Sequence, residues 1–245
     1  MNVYGLIGFP LEHSFSKKYF TEKFRKENIP ARFELFPVQS LSELPGIIAG
    51  EDTLKGLAVT IPHKVNVIPF LTRLTIHAQQ IGAVNCIQFA QGETIGHNTD
   101  AIGFEKSLLP LLTKQTKGAL ILGKGGAAMA VKFILEKIAL PYKFVTRDPS
   151  VAPRDISYIQ VTKELMREYS LIINCTPVGM HPNENNMPSI PYDLLTSANI
   201  LYDLIYNPEE TLFLKKGKER GCVTKNGFDM LVLQAEENWK IWNSI

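Results

Sequence analysis

The sequence predicts an α/β protein of two domains, and three observations carry that prediction. Short apolar runs alternate with amphipathic stretches along the chain, strand then helix then strand. Near the middle, a glycine-rich turn stands between a buried-strand run and a helix, opening a second βαβ unit. The 245 residues, 45% apolar and 20% charged, have the composition of a folded globular protein with chain enough for sizeable cores.

The elements follow in order. Residues 3–7 read as the first strand, a short apolar run without the basic start of a signal peptide. Residues 17–28 read as a helix and 32–38 as a second strand. A short helix over 41–49, a strand over 56–60 and a helix after Pro62 come next. Strands over 83–89 and 93–96 lead to a helical stretch, 102–112, which bridges into the second unit. There Ala119-Leu120-Ile121-Leu122 is a buried strand, a helix runs on to residue 139, and 142–147 closes the βαβ unit. Further strands lie at 171–174 and 199–203. The chain ends in a helix over 229–242 whose apolar stripe holds Leu231, Ala235, Trp239 and Trp242, with Gln234 within or beside it.

Charge and composition exclude several classes. Lys+Arg 26 against Asp+Glu 24 leaves a net charge of +2, too weak for a nucleic-acid binder. The densest basic patch, 215–220, contains Glu219 and reads as the solvated end of a helix. No apolar run approaches the roughly 18 residues of a membrane span. Cys86, Cys175 and Cys222 are widely spaced and form no CxxC pair. They read as small buried residues of a cytoplasmic protein. His13, His63 and His97 lie in polar loops but lack metal-ligand spacing, so no metal is expected.

The glycine turn has a definite chemistry. Gly123 permits a tight turn, and Gly125 lets the backbone approach a pyrophosphate seated on the free N–H groups of the helix start. Ala127 replaces the third glycine of the Rossmann fingerprint. The next strand ends in Thr146-Arg147, where an acid would select NAD; an arginine suits a 2′-phosphate, so NADP is expected. Asp148 either repels that phosphate or caps the turn before Pro149.

Four polar strings mark the first half: residues 8–16, 59–64, 82–85 and 96–100. In an open α/β sheet, loops at the carboxyl ends of strands converge on one crevice. These loops supply the hydroxyls of Ser14, Ser16 and Thr60, the ammonium of Lys64, the amide of Asn85 and the carboxylate of Asp100. The set suits a small polyhydroxylated acid.

These strings (GFPLEHSFS, VTIPHK, GAVN and GHNTD) occur in order with GKGGAAMA, LIINCTPVGM, LYDLIYNP and MLVLQA. In all eight the chain resembles shikimate dehydrogenases, from Tyr4 to its end. The resemblance implies an oxidoreductase that reduces 3-dehydroshikimate to shikimate with NADP, on the way to chorismate and the aromatic amino acids. It implies that Ser14 and Ser16 hold the substrate carboxylate, with Thr60 and Tyr206 nearby, and that Asn85, Asp100 and Gln234 read the ring hydroxyls. Lys64 and Asp100 would be the catalytic pair. Gly123, Lys124, Gly125, Gly126, Ala127, Thr146 and Arg147 would cradle the cofactor phosphates, and Ile205 and Gly227 would flank the nicotinamide. The expected architecture is a substrate-binding catalytic domain over 1–100, with 226–245 packing back on it, and a Rossmann-type NADP domain over 101–225. Both ligands would share the crevice between them, in a monomer or homodimer.

The chain departs from the family pattern at Lys17 (usually Pro), Ala58 (usually Asn), Asp148 (usually Thr), Asp229 (usually Gly) and Lys124 (usually a small residue). The charge of Lys124 is expected to compensate for Asp148. Two competing readings stay open: a quinate/shikimate dehydrogenase with relaxed cofactor use, and a catalytically silent NADP-binding sensor.

Overall fold

Alternating apolar residues on the first strand serve two faces of one sheet. In the computed structural model, which describes residues 1–12, 14–149 and 155–244, the first half runs β1 (Asn2–Gly8), α1 (Phe15–Lys26), β2 (Ala31–Pro37), α2 (Leu44–Ala49), β3 (Leu54–Val59), β4 (Arg73–Leu74), α3 (Ile76–Ile81), β5 (Cys86–Ala90) and β6 (Glu93–His97). The six strands are ordered β2-β1-β3-β5-β6-β4. Strand β1 is parallel to β2 and β3, whereas β5 is antiparallel to both of its neighbours. Val3 and Ile7 pack with Leu44, Leu57 and Ile87 on one face. Tyr4 and Leu6 pack with Phe20, Phe33 and Trp242 on the other. That alternation is the period of two that a sheet covered on both faces requires.

Two sequence expectations change here. The helix expected after Pro62 is one turn, closed by Val67 N–H donating to His63 O at 2.9 Å, and then a three-residue 3₁₀ helix, Ile68–Phe70. Pro69 has no N–H to donate, and Val65, Val67 and Ile68 are β-branched, so nothing propagates a helix. The helix lies instead at α3, capped by Thr75 and ended by Gly82 at φ 71°. The strand expected from residue 83 begins only at Cys86, because Val84 N–H goes to Lys64 O at 2.7 Å.

The second half runs α4 (Asp100–Leu108), β7 (Ala119–Leu122), α5 (Gly126–Lys137), β8 (Tyr142–Thr146), β9 (Asp155–Ser157), α6 (Lys163–Glu168), β10 (Leu171–Asn174), β11 (Ile200–Asp203), α7 (Leu212–Glu219), β12 (Val223–Lys225) and α8 (Phe228–Trp242). Its parallel sheet is ordered β12-β11-β10-β7-β8-β9. Counted from β7, this is the Rossmann order 6-5-4-1-2-3, and the strand order reverses between β7 and β10. The helix expected to reach residue 112 stops at Leu108, where Leu109–Leu111, with Pro110 at its centre, tightens to 3₁₀. The sequence reading did not include β9, α6 or β12; at three, six and three residues they are too short to show a period.

The chain divides into two compact units, Met1–Thr99 with Ala235–Ile245, and Asp100–Gln234. Residues 226–234, which the sequence reading assigned to the first domain, fall in the second. In that unit α8 lies against α4 at Gly103, where a Cβ would stand 2.6 Å from Met230 O. The end of α8 completes the first core. The Trp242 indole fills the space left by the missing side chain of Gly56, and its Nε1–H donates to Ile87 O at 3.0 Å.

Candidate active site

Strand direction brings the first group of site residues to one edge. β1, β3 and β6 end at this edge, and β5 starts there because it runs antiparallel. The loops after β1 and β3 therefore meet the loop before β5 and the segment after β6. Ser14 caps α1, its Oγ accepting from Lys17 N at 3.3 Å, and Ser16 lies half-buried in the first turn. Thr60 N–H donates to Ile7 O at 2.9 Å, which ties the loop after β3 to β1. Lys64 is half-buried, and its carbonyl takes Val84 N–H, so its loop is bonded to the one that carries Asn85.

Asn85 is fixed from below by residues that the sequence reading did not single out. It is 2% exposed, and its Oδ1 accepts from Thr99 N at 2.6 Å. Its Nδ2 donates to Thr99 Oγ1 at 2.9 Å, and that hydroxyl donates onward to Asn238 Oδ1 at 2.6 Å. Thr99 and Asn238 are 0% and 1% exposed. Asn98, also buried, donates to Ala83 O at 2.9 Å. Burial of so many amides is sustained only because each is hydrogen-bonded. The Asn238 signal was a polar residue on the apolar stripe of α8, four positions after Gln234 and four before Trp242.

The second unit places Asp100 as the first residue of α4, buried. Gln234 is also buried, and its Nε2 donates to Leu231 O at 2.8 Å. Tyr206 is half-buried, and burial raises its phenol pKa. Ile205 is buried, and its carbonyl accepts from Gly227 N at 3.0 Å. Any Cβ on Gly227 would collide with Leu204 O, so only glycine admits this backbone approach.

At the switch point, Gly123 adopts φ +91°, and a Cβ there would lie 2.8 Å from Thr176 Cγ2. Gly125 caps α5, with open space on the side a Cβ would occupy; Gly126 and Ala127 form the first turn. The N–H groups of that turn have no intrahelical acceptor and can receive an anion. Thr146 Oγ1, at the end of β8, is buried and has no hydrogen-bond partner among the described residues. Arg147 and Asp148 follow it, both exposed. A backbone cradle, an unpartnered hydroxyl and an exposed guanidinium fit a dinucleotide with a ribose phosphate.

Lys124 meets an acid that the sequence did not point to. Its Nζ pairs with Asp155 Oδ2 at 2.5 Å and lies 5.4 Å from the Phe144 ring centroid. The ammonium thus has a carboxylate partner on β9. The reason is local, since the Asp155 side chain is 2% exposed and gains most from a cation.

Among the histidines, His63 Nε2 lies 2.6 Å from Val38 O, and His97 Nε2 lies 3.2 Å from Gln88 Oε1. His13 lies outside the described residues. Among the described residues no group of three or more His, Cys, Asp or Glu could hold a metal ion, and no helix is long and apolar enough to cross a membrane.

Comparison with known proteins adds to this geometry. The family described as shikimate dehydrogenase substrate binding domain matches residues 6–87, a span that includes Ser14, Ser16, Thr60, Lys64 and Asn85. The shikimate dehydrogenase (NADP(+)) of Geobacillus kaustophilus is 39% identical over 255 residues, covering 98% of this chain and 92% of its own. The chain belongs to the shikimate dehydrogenase family. A family structure from Thermus thermophilus, in complex with NADP(H) and shikimate, has a TM-score of 0.88 at 29% identity and covers 100% of this chain and 94% of that one. Another, from Listeria monocytogenes, is in complex with shikimate and NAD; it has a TM-score of 0.85 at 26% identity, covering 99% and 91%. The two-sheet α/β architecture is that of the family.

Proposed function

We propose that this chain catalyses the reversible, NADP-dependent reduction of 3-dehydroshikimate to shikimate, a step toward chorismate and the aromatic amino acids. The observation that carries the reading is the 39% identity to a shikimate dehydrogenase (NADP(+)) along 98% of the chain. The bound nicotinamide supplies or accepts the hydride. The chain's own residues position the acid, hold the cofactor phosphates and manage one proton.

In this reading the Ser14 and Ser16 hydroxyls donate to the substrate carboxylate, with Thr60 and Tyr206 beside it. The amides of Asn85 and Gln234 both donate and accept, which matches ring hydroxyls that do the same. Lys64 gives its proton to the carbonyl oxygen as negative charge develops there, and Asp100 accepts from a ring hydroxyl and favours the charged ammonium. The Gly123–Ala127 turn, Thr146 and Arg147 hold the phosphates, Lys124 steadies that turn through Asp155, and Ile205 and Gly227 line the nicotinamide end. The buried Asn85–Thr99–Asn238 chain supports a substrate-reading role for Asn85, since an amide held at both its oxygen and its nitrogen by Thr99 keeps one orientation. Three free cysteines fit a protein of the reducing cytoplasm.

Asp148 beside Arg147 favours a second reading for the cofactor alone, in which NAD is also used, because an exposed carboxylate there opposes the 2′-phosphate. One assay tests both. Absorbance at the NADPH band is followed with shikimate and NADP, and in parallel with NAD and with quinate. Fast reduction confined to shikimate and NADP supports the first reading, and comparable rates with NAD support the second. Turnover of quinate in preference to shikimate, or of neither, overturns the assignment.

A further inference from the structure

Beneath the nicotinamide-side loop lies a buried carboxylate that no step above uses. Asp203, the last residue of β11, is 0% exposed. Its Oδ1 accepts from Ile205 N at 3.0 Å and from Asn174 Nδ2 at 3.0 Å, and its Oδ2 accepts from Thr211 Oγ1 at 2.6 Å. The three donors come from three places: the loop after β11, the end of β10, and the N-cap of α7. Asn174 extends the network, because its Oδ1 accepts from Thr176 N at 3.0 Å and Thr176 Oγ1 at 2.6 Å. The Thr176 methyl stands beside Gly123, 2.8 Å from where a Cβ there would lie.

We propose that Asp203 is a positioning residue of the cofactor site, its carboxylate holding the Ile205 backbone directly and the Gly123 turn through Asn174 and Thr176. The proposal rests on the dehydrogenase reading and deepens it: one buried charge sets the geometry at both ends of the cofactor.

The choice of a charge is informative. Among the described residues no cation acts on Asp203, and an uncompensated buried carboxylate is costly compared with an apolar residue of similar size. Holding two strands together does not need one. What a carboxylate does better than an amide is accept three hydrogen bonds at once, each charge-assisted. Burial pushes its pKa up to about 6, against the pull of those three donors. Among the described residues Cys175, after β10, and Tyr192 face it, both kept neutral by burial. Near neutral pH the carboxylate is charged and the network complete. When it takes a proton, one oxygen becomes a donor, and the N–H of Ile205 competes with Asn174 for a weakened acceptor.

The test measures NADP affinity by calorimetry across about pH 5 to 8 for wild type, Asp203→Asn and Thr211→Val. The 2′-phosphate itself titrates near pH 6, so the ratio of variant to wild-type Kd is the readout, in which the ligand's own protonation cancels. For Asp203→Asn the ratio is expected to be about tenfold at the alkaline end, as for the loss of one charge-assisted hydrogen bond, and to fall toward unity at the acid end. Thr211→Val removes a donor that favours the charged form, so the midpoint of the wild-type profile moves to higher pH in this variant. A ratio that does not change with pH, or a midpoint unmoved by Thr211→Val, overturns the proposal. The cofactor-free protein separates failure of this proposal from failure of the dehydrogenase reading. Its unfolding free energy, wild type minus Asp203→Asn, is expected to decline as pH rises through about 4 to 6, because the folded state holds its proton more tightly than the unfolded chain. A flat difference refutes the buried titrating carboxylate whatever NADP does. Absence of NADP binding by wild type overturns the dehydrogenase reading and this proposal together.

Discussion

Thr99→Val tests whether the buried polar chain under Asn85 serves the substrate side. Valine keeps the branched shape of threonine and leaves no cavity, but it removes the hydroxyl between two amides. Asn85 Nδ2 loses its 2.9 Å acceptor and Asn238 Oδ1 its 2.6 Å donor, both in a site closed to water. Each buried polar group that loses a partner costs about 1–3 kcal/mol, so the two together should cost the first unit about 2–6 kcal/mol. The backbone bond from Thr99 N–H to Asn85 Oδ1 remains, so the fold is kept while the amide gains freedom to rotate. Urea unfolding should show the loss at an unchanged m-value. Steady-state kinetics should show a KM for shikimate raised about tenfold or more, with the KM for NADP within about twofold of wild type. Thr99→Ser, which restores the hydroxyl, should recover most of both effects. A loss below about 1 kcal/mol would show that the hydroxyl bridge does little to hold the Asn85 amide. Equal increases in the two KM values would show that Thr99 acts on the whole molecule and not on the substrate edge.

Three further expectations follow from the same geometry. Lys64→Ala should lower kcat by about 10²–10⁴-fold with little change in NADP affinity, and near wild-type kcat would remove Lys64 from the chemistry. Arg147→Ala should raise the KM for NADP and leave NAD kinetics unchanged; equal losses with both cofactors would show that the guanidinium does not read the 2′-phosphate. Burial, with help from the charge of Arg73, pushes His97 down to about 4 from an ordinary value of 6.5. Its folded pKa is depressed, so its contribution to stability is complete above about pH 6.5 and is lost as pH falls toward 4. His97→Gln should flatten that part of the stability profile, and an unchanged slope between those values would assign the acid sensitivity elsewhere.

Much of this protein was legible in its residue order because the relevant physics is local. The short apolar run at residues 3–7, the apolar stripe of α8 and the turn at Gly123–Gly126 each state their conformation within a few residues. Helices α3 and α6 were not legible: at six residues each they are framed by caps at Thr75 and Thr162 and held by packing. The helix expected after Pro62 failed for the complementary reason, since apolar residues are present there without a backbone able to continue the bonding.

The residue order alone determined the fold class, the glycine turn and the polar side chains gathered in a few loops, since each depends on neighbours in the chain. Tertiary structure decided which of those side chains face which partner. Asn85 reaches the edge where β1, β3 and β6 end because β5 runs antiparallel, a fact of sheet topology. Lys124 turns to Asp155, thirty-one positions away, and Asp203 gathers donors from β10, its own loop and α7. A buried charge or amide takes whatever partner the fold brings within about 3 Å, and chain order does not encode that distance.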